Sequence, residues 1–253
     1  MITDIKVNFL IAGAQKSGTT KLDTCFRQHP NICMALKKEV HYFDNYKNFE
    51  NKYCNYDIYH TNFIGYQDKL IGESTPMYMF CYDAPRRIWE YNPDMKLILI
   101  LRNPITRAFS HWNMMRLRNL EASPFLHAIA LEEDRTRKEL PYQSRRFSYI
   151  SRGWYTEQIR KLLHFFPKKQ IHYIKSDDLR VYPQKTLDSA FSFLELNPIK
   201  LNYSEEVFSL PYKSLMSLHE FECLREIFYF EIKSIEKLLK WDCSDWLDSK
   251  GLE

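Results

Sequence analysis

Residues 8–20 read Asn8-Phe9-Leu10-Ile11-Ala12-Gly13-Ala14-Gln15-Lys16-Ser17-Gly18-Thr19-Thr20, and the choice of fold turns on them. Phe9 to Ala12 form an unbroken apolar run, as a strand buried on both faces would. The run stops at Gly13, and from Thr19 to Gln28 the apolar residues Leu22, Cys25 and Phe26 fall at helical spacing. His29-Pro30 ends that helix, because a residue before proline avoids helical dihedrals. Strand, glycine loop and helix in this order make an anion cradle, with backbone N–H groups and the positive end of the helix converging on one point. Gly13 and Gly18 have the spacing of the phosphate loop G-x-x-x-x-G-K-[ST]. Here Thr19 stands where that loop has its lysine, and a lysine lies inside the loop as Lys16. In the triphosphatase form the lysine reaches the β- and γ-phosphates and the Ser/Thr holds Mg²⁺. A cradle without that lysine suits a shorter anionic chain.

The clearest strand is Lys96-Leu97-Ile98-Leu99-Ile100-Leu101, apolar on both faces like an interior parallel strand. It runs straight into Arg102-Asn103-Pro104, and the proline opens a helix to about Arg118. Strand ends in open α/β sheets face the ligand crevice, so Arg102 stands where a second anion is expected. Ser110, about two helical turns on, adds a hydroxyl to the same anion. The strand thus ends in arginine rather than in an acidic Mg²⁺ ligand. Further strands are expected over 70–73 and 170–174, with Gly72 marking the floor of the crevice. Helices are expected over 84–91, 122–138, 154–166, 183–194 and 218–239, and Ser176-Asp177-Asp178 reads as a turn. Strands alternating with helices throughout predict one α/β domain over 1–253, with a mostly parallel central sheet flanked by helices in the P-loop-NTPase-like manner.

Composition narrows the classes. Only 6 of 253 residues are glycine, which excludes collagen-like and glycine-linker chains, and 27% charged with 45% hydrophobic residues excludes disorder. No window reaches the ~18 uncharged apolar residues of a membrane span. Met1-Ile2-Thr3-Asp4-Ile5-Lys6 lacks a signal-peptide pattern, so a cytoplasmic chain is expected. The six cysteines form no C-x-x-C pair, so reduced thiols and no metal site are expected. A net charge of +4 fits an anionic ligand but not nucleic acid. The basic cluster Arg135, Arg137, Lys138, Arg145, Arg146 and Arg152 reads first as a solvated face and second as a binding site for an anionic glycan.

Residues 12–20 together with Leu101-Arg102-Asn103-Pro104-x-x-Arg107-Ala108-x-Ser110 resemble the sulfotransferases that use 3′-phosphoadenosine-5′-phosphosulfate (PAPS). Glu39-Val40-His41-Tyr42-Phe43-Asp44 resembles the E-V-H-F-F-D segment of heparan-sulfate-type members, and Glu73-Ser74-Thr75-Pro76-x-Tyr78 is similar to their E-K-T-P-x-Y. The passage from Phe165-Phe166-Pro167 to Asp177-Asp178-Leu179 continues the resemblance, which spans roughly residues 8 to 196. The tail over 239–247 looks more like that of bacterial members.

The resemblance implies that Lys16, Ser17, Gly18, Thr19 and Thr20 hold the 5′-phosphosulfate, and that Arg102 and Ser110 hold the 3′-phosphate. It implies transfer of a sulfuryl group from PAPS to a carbohydrate or small-metabolite hydroxyl, leaving adenosine 3′,5′-bisphosphate (PAP), with no metal required. Lys16 neutralises the oxygen that leaves. Glu39 is the general base; His41, on the same side if the segment is extended, orients the acceptor or serves as base instead. Tyr42, Phe43, Tyr78, Phe80, Trp112, Trp154 and Tyr155 either stack on sugar or fill the core. Two departures stand out. Ser74 occupies the place of a lysine in heparan-type enzymes, and the later basic cofactor loop has its nearest counterpart in residues 202–212 with Lys213. Two other readings compete: a divergent P-loop kinase, which requires ATP and Mg²⁺, and an inactive nucleotide-binding protein of the same fold.

Overall fold

The computed structural model describes residues 5–50, 54–201 and 214–249; the stretch 202–213, with Lys213, lies outside them. The chain divides into two compact units, Met1–Leu101 with Lys161–Phe208, and Arg102–Arg160 with Ser209–Glu253.

The first unit carries the sheet. Its elements in chain order are β1 (Phe9–Gly13), α1 (Thr19–Phe26), β2 (Ile32–Met34), α2 (Tyr56–His60), β3 (Leu70–Ser74), α3 (Met77–Phe80), α4 (Ala84–Tyr91) and β4 (Lys96–Leu101). After the excursion through the second unit come β5 (Ile171–Lys175), α9 (Ser176–Val181) and α10 (Pro183–Phe193). Among the described residues the sheet has five strands in the order β2-β3-β1-β4-β5, every neighbouring pair parallel. The chain fills the β2 side of β1 first and then crosses to the β4 side, so the order reverses at β1. Ligands of open α/β sheets bind outside the carboxyl ends of the strands at such a reversal. The loop after β1 therefore begins at the ligand edge.

Alternate strand residues Phe9, Ile11, Ile98, Ile100 and Ile174 point to one face and pack with Leu22 and Phe26 of α1, Leu179 of α9 and Phe191 of α10. Gly72 belongs to this packing rather than to a crevice floor: the Phe9 ring fills the place a Cβ there would take. Glu73, one residue on in β3, faces the other way. Asp177 and Asp178, expected in a turn, instead lie in the first turn of α9, where carboxylates favour the positive helix end.

The second unit holds α5 (Pro104–Leu117), α6 (Phe125–Ala130), α7 (Glu132–Arg137), the first half of α8 (Tyr155–Phe165) and α11 (Leu218–Leu239). The single helix expected over 122–138 is two: α6 starts only after Pro124, and α7 opens with Glu132 turned inward to accept the backbone N–H groups of Ile150 and Ser151. Asn103 caps α5, its side chain accepting the Ile105 N–H at 3.0 Å and donating to the Trp246 carbonyl at 2.9 Å. Arg107 is fully buried and donates to the Tyr149 carbonyl. Among the described residues no helix is long and apolar enough to cross a membrane.

Candidate active site

The loop after β1 is held at both ends by backbone. The Ala14 N–H donates to Ile100 of β4 at 2.8 Å, and the Ser17 carbonyl accepts the Ser176 hydroxyl at 2.8 Å. Lys16 (φ 69°) and Gly18 (φ 108°) are both left-handed, which turns the chain sharply into α1. The two glycines serve different needs. Gly18 supplies a dihedral that L side chains resist. At Gly13 a Cβ would lie 2.6 Å from Met79 Cβ and 2.7 Å from its Sδ, so that glycine makes room for α3 rather than for an anion.

The junction that results is open to an anion. Gly18, the N-cap of α1, offers no side-chain cap, the first turn has no acidic residue, and the helix ladder begins only at Leu22 N–H to Gly18 O, 3.1 Å. Early helix N–H groups have no acceptor along the helix. The Ser17 hydroxyl is buried, with the residue 1% exposed, and has no hydrogen-bond partner in the protein. Gln15 Oε1 is likewise buried and unpartnered. Buried polar atoms are nearly always paired, so these groups mark a place for a polar ligand. Lys16, Ser17, Gly18, Thr19 and Thr20 thus share one junction, as the sequence pattern requires.

Glu39 and His41 lie in the segment after β2. It is not extended there, since both residues are left-handed (φ 61° and 57°). The side chains meet nonetheless, with His41 Nε2 at 3.4 Å from Glu39 Oε2 and Nδ1 at 2.9 Å from Asp44 Oδ2. Lys38 Nζ lies 2.8 Å from Glu39 Oε1. The His41 hydrogen bond, with Lys38 beside it, holds the Glu39 carboxyl down at about 2. Both ring nitrogens of His41 face carboxylate oxygens, which only the doubly protonated ring can satisfy as donor at each.

The segment is fastened to the carboxyl end of β3. The Glu39 N–H donates to the Ser74 carbonyl at 2.9 Å, the His41 N–H to Thr75 Oγ1 at 3.5 Å, and the Tyr42 N–H to the Tyr78 hydroxyl at 3.0 Å. Ser74 is buried and its hydroxyl has no hydrogen-bond partner in the protein.

Arg102 and Ser110 belong to the second unit. Arg102 Nε donates to Thr106 Oγ1 at 2.9 Å and its carbonyl accepts the Tyr155 hydroxyl at 2.9 Å; Ser110 lies on α5, two turns along. Of the aromatics considered for sugar stacking, Tyr42, Phe43, Tyr78, Trp112 and Tyr155 are buried in packing. In the basic cluster Arg152 is buried and Arg135 pairs with Glu121 at 2.5 Å, so neither belongs to a solvated face. Sequence reasoning gave Asp44, Lys38 and Glu73 no role. The three-residue step from His41 to Asp44 was the available signal for the first.

The family model for the sulfotransferase domain matches residues 6–246. The membrane-associated sulfotransferase kil1 of Dictyostelium discoideum is 27% identical over an alignment covering 76% of this chain and 56% of that protein. Heparan sulfate glucosamine 3-O-sulfotransferase 5 of Mus musculus is 28% identical, covering 75% and 53%. The chain thus spans about half the length of these curated relatives. The crystal structure of a sulfotransferase from Alicyclobacillus acidocaldarius superposes with a TM-score of 0.83 at 26% identity, covering 96% of this chain and all of that one. With the parallel sheet and the open loop–helix junction in place, the family match over nearly the whole chain makes it a member of the sulfotransferase domain family of enzymes.

Proposed function

We propose that this chain transfers a sulfuryl group from PAPS to a hydroxyl of a carbohydrate or small-metabolite acceptor, releasing PAP. The observation that carries the reading is the loop–helix junction, with an uncapped helix start and a buried, unpartnered Ser17 hydroxyl beside Lys16. That donor set fits the 5′-phosphosulfate, which supplies an activated sulfuryl group on a phosphate leaving group. Ser17, the N–H groups of Gly18, Thr19 and Thr20, and the threonine hydroxyls would bind it. Lys16 brings the positive charge that offsets the charge on the departing phosphate oxygen, so the reading requires no metal ion. Arg102 and Ser110 are assigned the 3′-phosphate from the sequence pattern they complete.

Glu39 takes the acceptor proton. His41 is the weaker choice of base, because both of its nitrogens already face carboxylates. It serves instead to orient Glu39, with Asp44 holding the far side of the ring. The carbohydrate acceptor class follows the heparan sulfate glucosamine sulfotransferase named above. Ser74, where heparan-type enzymes have lysine, removes one cation from that end of β3 and separates this chain's acceptor chemistry from theirs.

The test is Glu39→Gln. The variant keeps PAP binding, read as a thermal shift, and loses at least about a hundredfold in transfer, the scale of a general base. A Glu39→Gln enzyme that transfers at the wild-type rate contradicts the assignment of the base.

A further inference from the structure

Glu73 is a fully buried carboxylate whose hydrogen-bond partners are three hydroxyls. Tyr59 and Tyr78 each donate to Oε1 at 2.8 Å, and Thr75 donates to Oε2 at 2.8 Å. Burying a carboxylate away from water is costly unless it is well hydrogen-bonded, and here burial raises its pKa, although the three hydroxyls pull against the rise. A packed apolar residue would avoid that cost. Two of the three hydroxyls also serve the neighbouring segment. Thr75 Oγ1 accepts the His41 N–H at 3.5 Å, and the Tyr78 oxygen accepts the Tyr42 N–H at 3.0 Å.

We propose that Glu73 is a positioning residue for the segment that carries the base: it turns the Thr75 and Tyr78 hydroxyl protons inward, so that their lone pairs hold the His41 and Tyr42 N–H groups. The His41 and Tyr42 N–H groups need acceptors, so the Thr75 and Tyr78 hydroxyls turn their single protons the other way, to the Glu73 oxygens that accept them at 2.8 Å. The oxygens left facing the segment are then acceptors, as the N–H groups require. With the Glu39 N–H on the Ser74 carbonyl, three backbone donors of residues 39–42 hang from residues 74–78. These bonds fix two left-handed residues, Glu39 and His41, in dihedrals that non-glycine residues take only when surrounding contacts demand it. The inference rests on the assignment of Glu39 and His41 above.

The experiment is steady-state transfer at saturating PAPS, with PAP-induced thermal shift as the measure of an intact fold. Thr75→Val keeps the shape of the side chain and removes the acceptor; Thr75→Ser keeps the acceptor. Thr75→Val and Tyr78→Phe are expected to lower kcat by about ten- to a hundredfold, the scale of a misplaced catalytic group, with the donor KM within about twofold of wild type on the same reasoning. Thr75→Ser recovers most of the loss. Glu73→Gln, whose amide presents a donor to one hydroxyl, behaves like Thr75→Val; if it does not fold, the Thr75 pair decides alone. Wild-type kcat in Thr75→Val and Tyr78→Phe overturns the proposal. So does a Thr75→Ser variant as impaired as Thr75→Val, or a loss of kcat accompanied by an equal loss of PAP binding. Glu39→Gln is measured alongside. If it transfers normally, the base assignment fails, and the Thr75 pair still decides whether the tether matters to turnover.

Discussion

Substituting Gly13 by alanine tests whether the donor loop is shaped by its packing on α3. The added Cβ would lie 2.6 Å from Met79 Cβ, 2.7 Å from Sδ and 3.2 Å from Cγ. Rotating the methionine away clears Sδ and Cγ but not its Cβ, which is fixed by the backbone of α3. Met79 is 2% exposed, so its side chain is enclosed by the protein and cannot swing out into solvent. Either β1 and its loop or the backbone of α3 must move. Overpacking of this kind costs about 1–3 kcal/mol. For a chain of this size each kcal/mol lowers Tm by about 2–4 °C, so a fall of about 2–12 °C is expected in differential scanning calorimetry. Because Gly13 leads directly into Ala14, whose N–H is fixed to Ile100, PAP affinity should fall as well. Gly13→Ala/Met79→Ala should restore only part of the lost stability beyond the cost of Met79→Ala alone, since the 2.6 Å conflict with Cβ remains. A Gly13→Ala protein with wild-type Tm and wild-type PAP affinity would refute the packing argument.

Other consequences are equally direct. Gly18→Ala, forced to φ 108°, should destabilise the protein by about 1–2 kcal/mol and weaken PAP binding, measured by calorimetric titration; an unchanged Kd would show that the N-cap geometry is irrelevant to the donor. Lys16→Ala and Arg102→Ala should each weaken PAP binding in the same titration, whereas normal affinity in either removes that residue from the phosphate sites. The Glu39 carboxyl, held at about 2 against an ordinary 4.5, contributes stability that is complete above about pH 4.5 and lost as pH falls toward 2. The stability gap between wild type and Glu39→Gln in urea should therefore shrink over that window; a gap that stays constant would mean the ion-paired cluster is absent in solution. For the same reason the base is ionised at every working pH, and transfer should show no acid limb centred near pH 4.5.

What local pattern controls was legible in the sequence. Residues 84–91, 96–101 and 218–239 have the helical and strand boundaries their apolar spacing implies, and β1 passes through a loop into α1 at Thr19 in the order that residues 8–20 suggest. What long-range contacts control was not. Val40-His41-Tyr42-Phe43 carries strand-forming residues, yet hydrogen bonds to Ser74, Thr75 and Tyr78, more than thirty residues away, put Glu39 and His41 in left-handed dihedrals. Gly13 and Gly72 looked alike as ligand-facing glycines; only their neighbours, Met79 and the Phe9 ring, show that both serve packing. Glu73 stood in a recognisable motif, but its role depends on Tyr59 and on a segment threaded elsewhere in the chain, which no spacing reveals. The α6–α7 break depends likewise on Glu132 reaching Ile150 and Ser151.

The most direct test of a PAPS-dependent enzyme is thermal unfolding in the presence of PAP and, separately, of ATP with Mg²⁺. A ligand at about a hundred times its Kd adds about 2.7 kcal/mol, which for a chain of this size raises Tm by roughly 5–11 °C. PAP should produce that rise in the wild type and lose most of it in Lys16→Ala, while ATP with Mg²⁺ leaves Tm near that of the free protein. Stabilisation by ATP with Mg²⁺ and none by PAP would contradict the sulfotransferase reading and restore the kinase one.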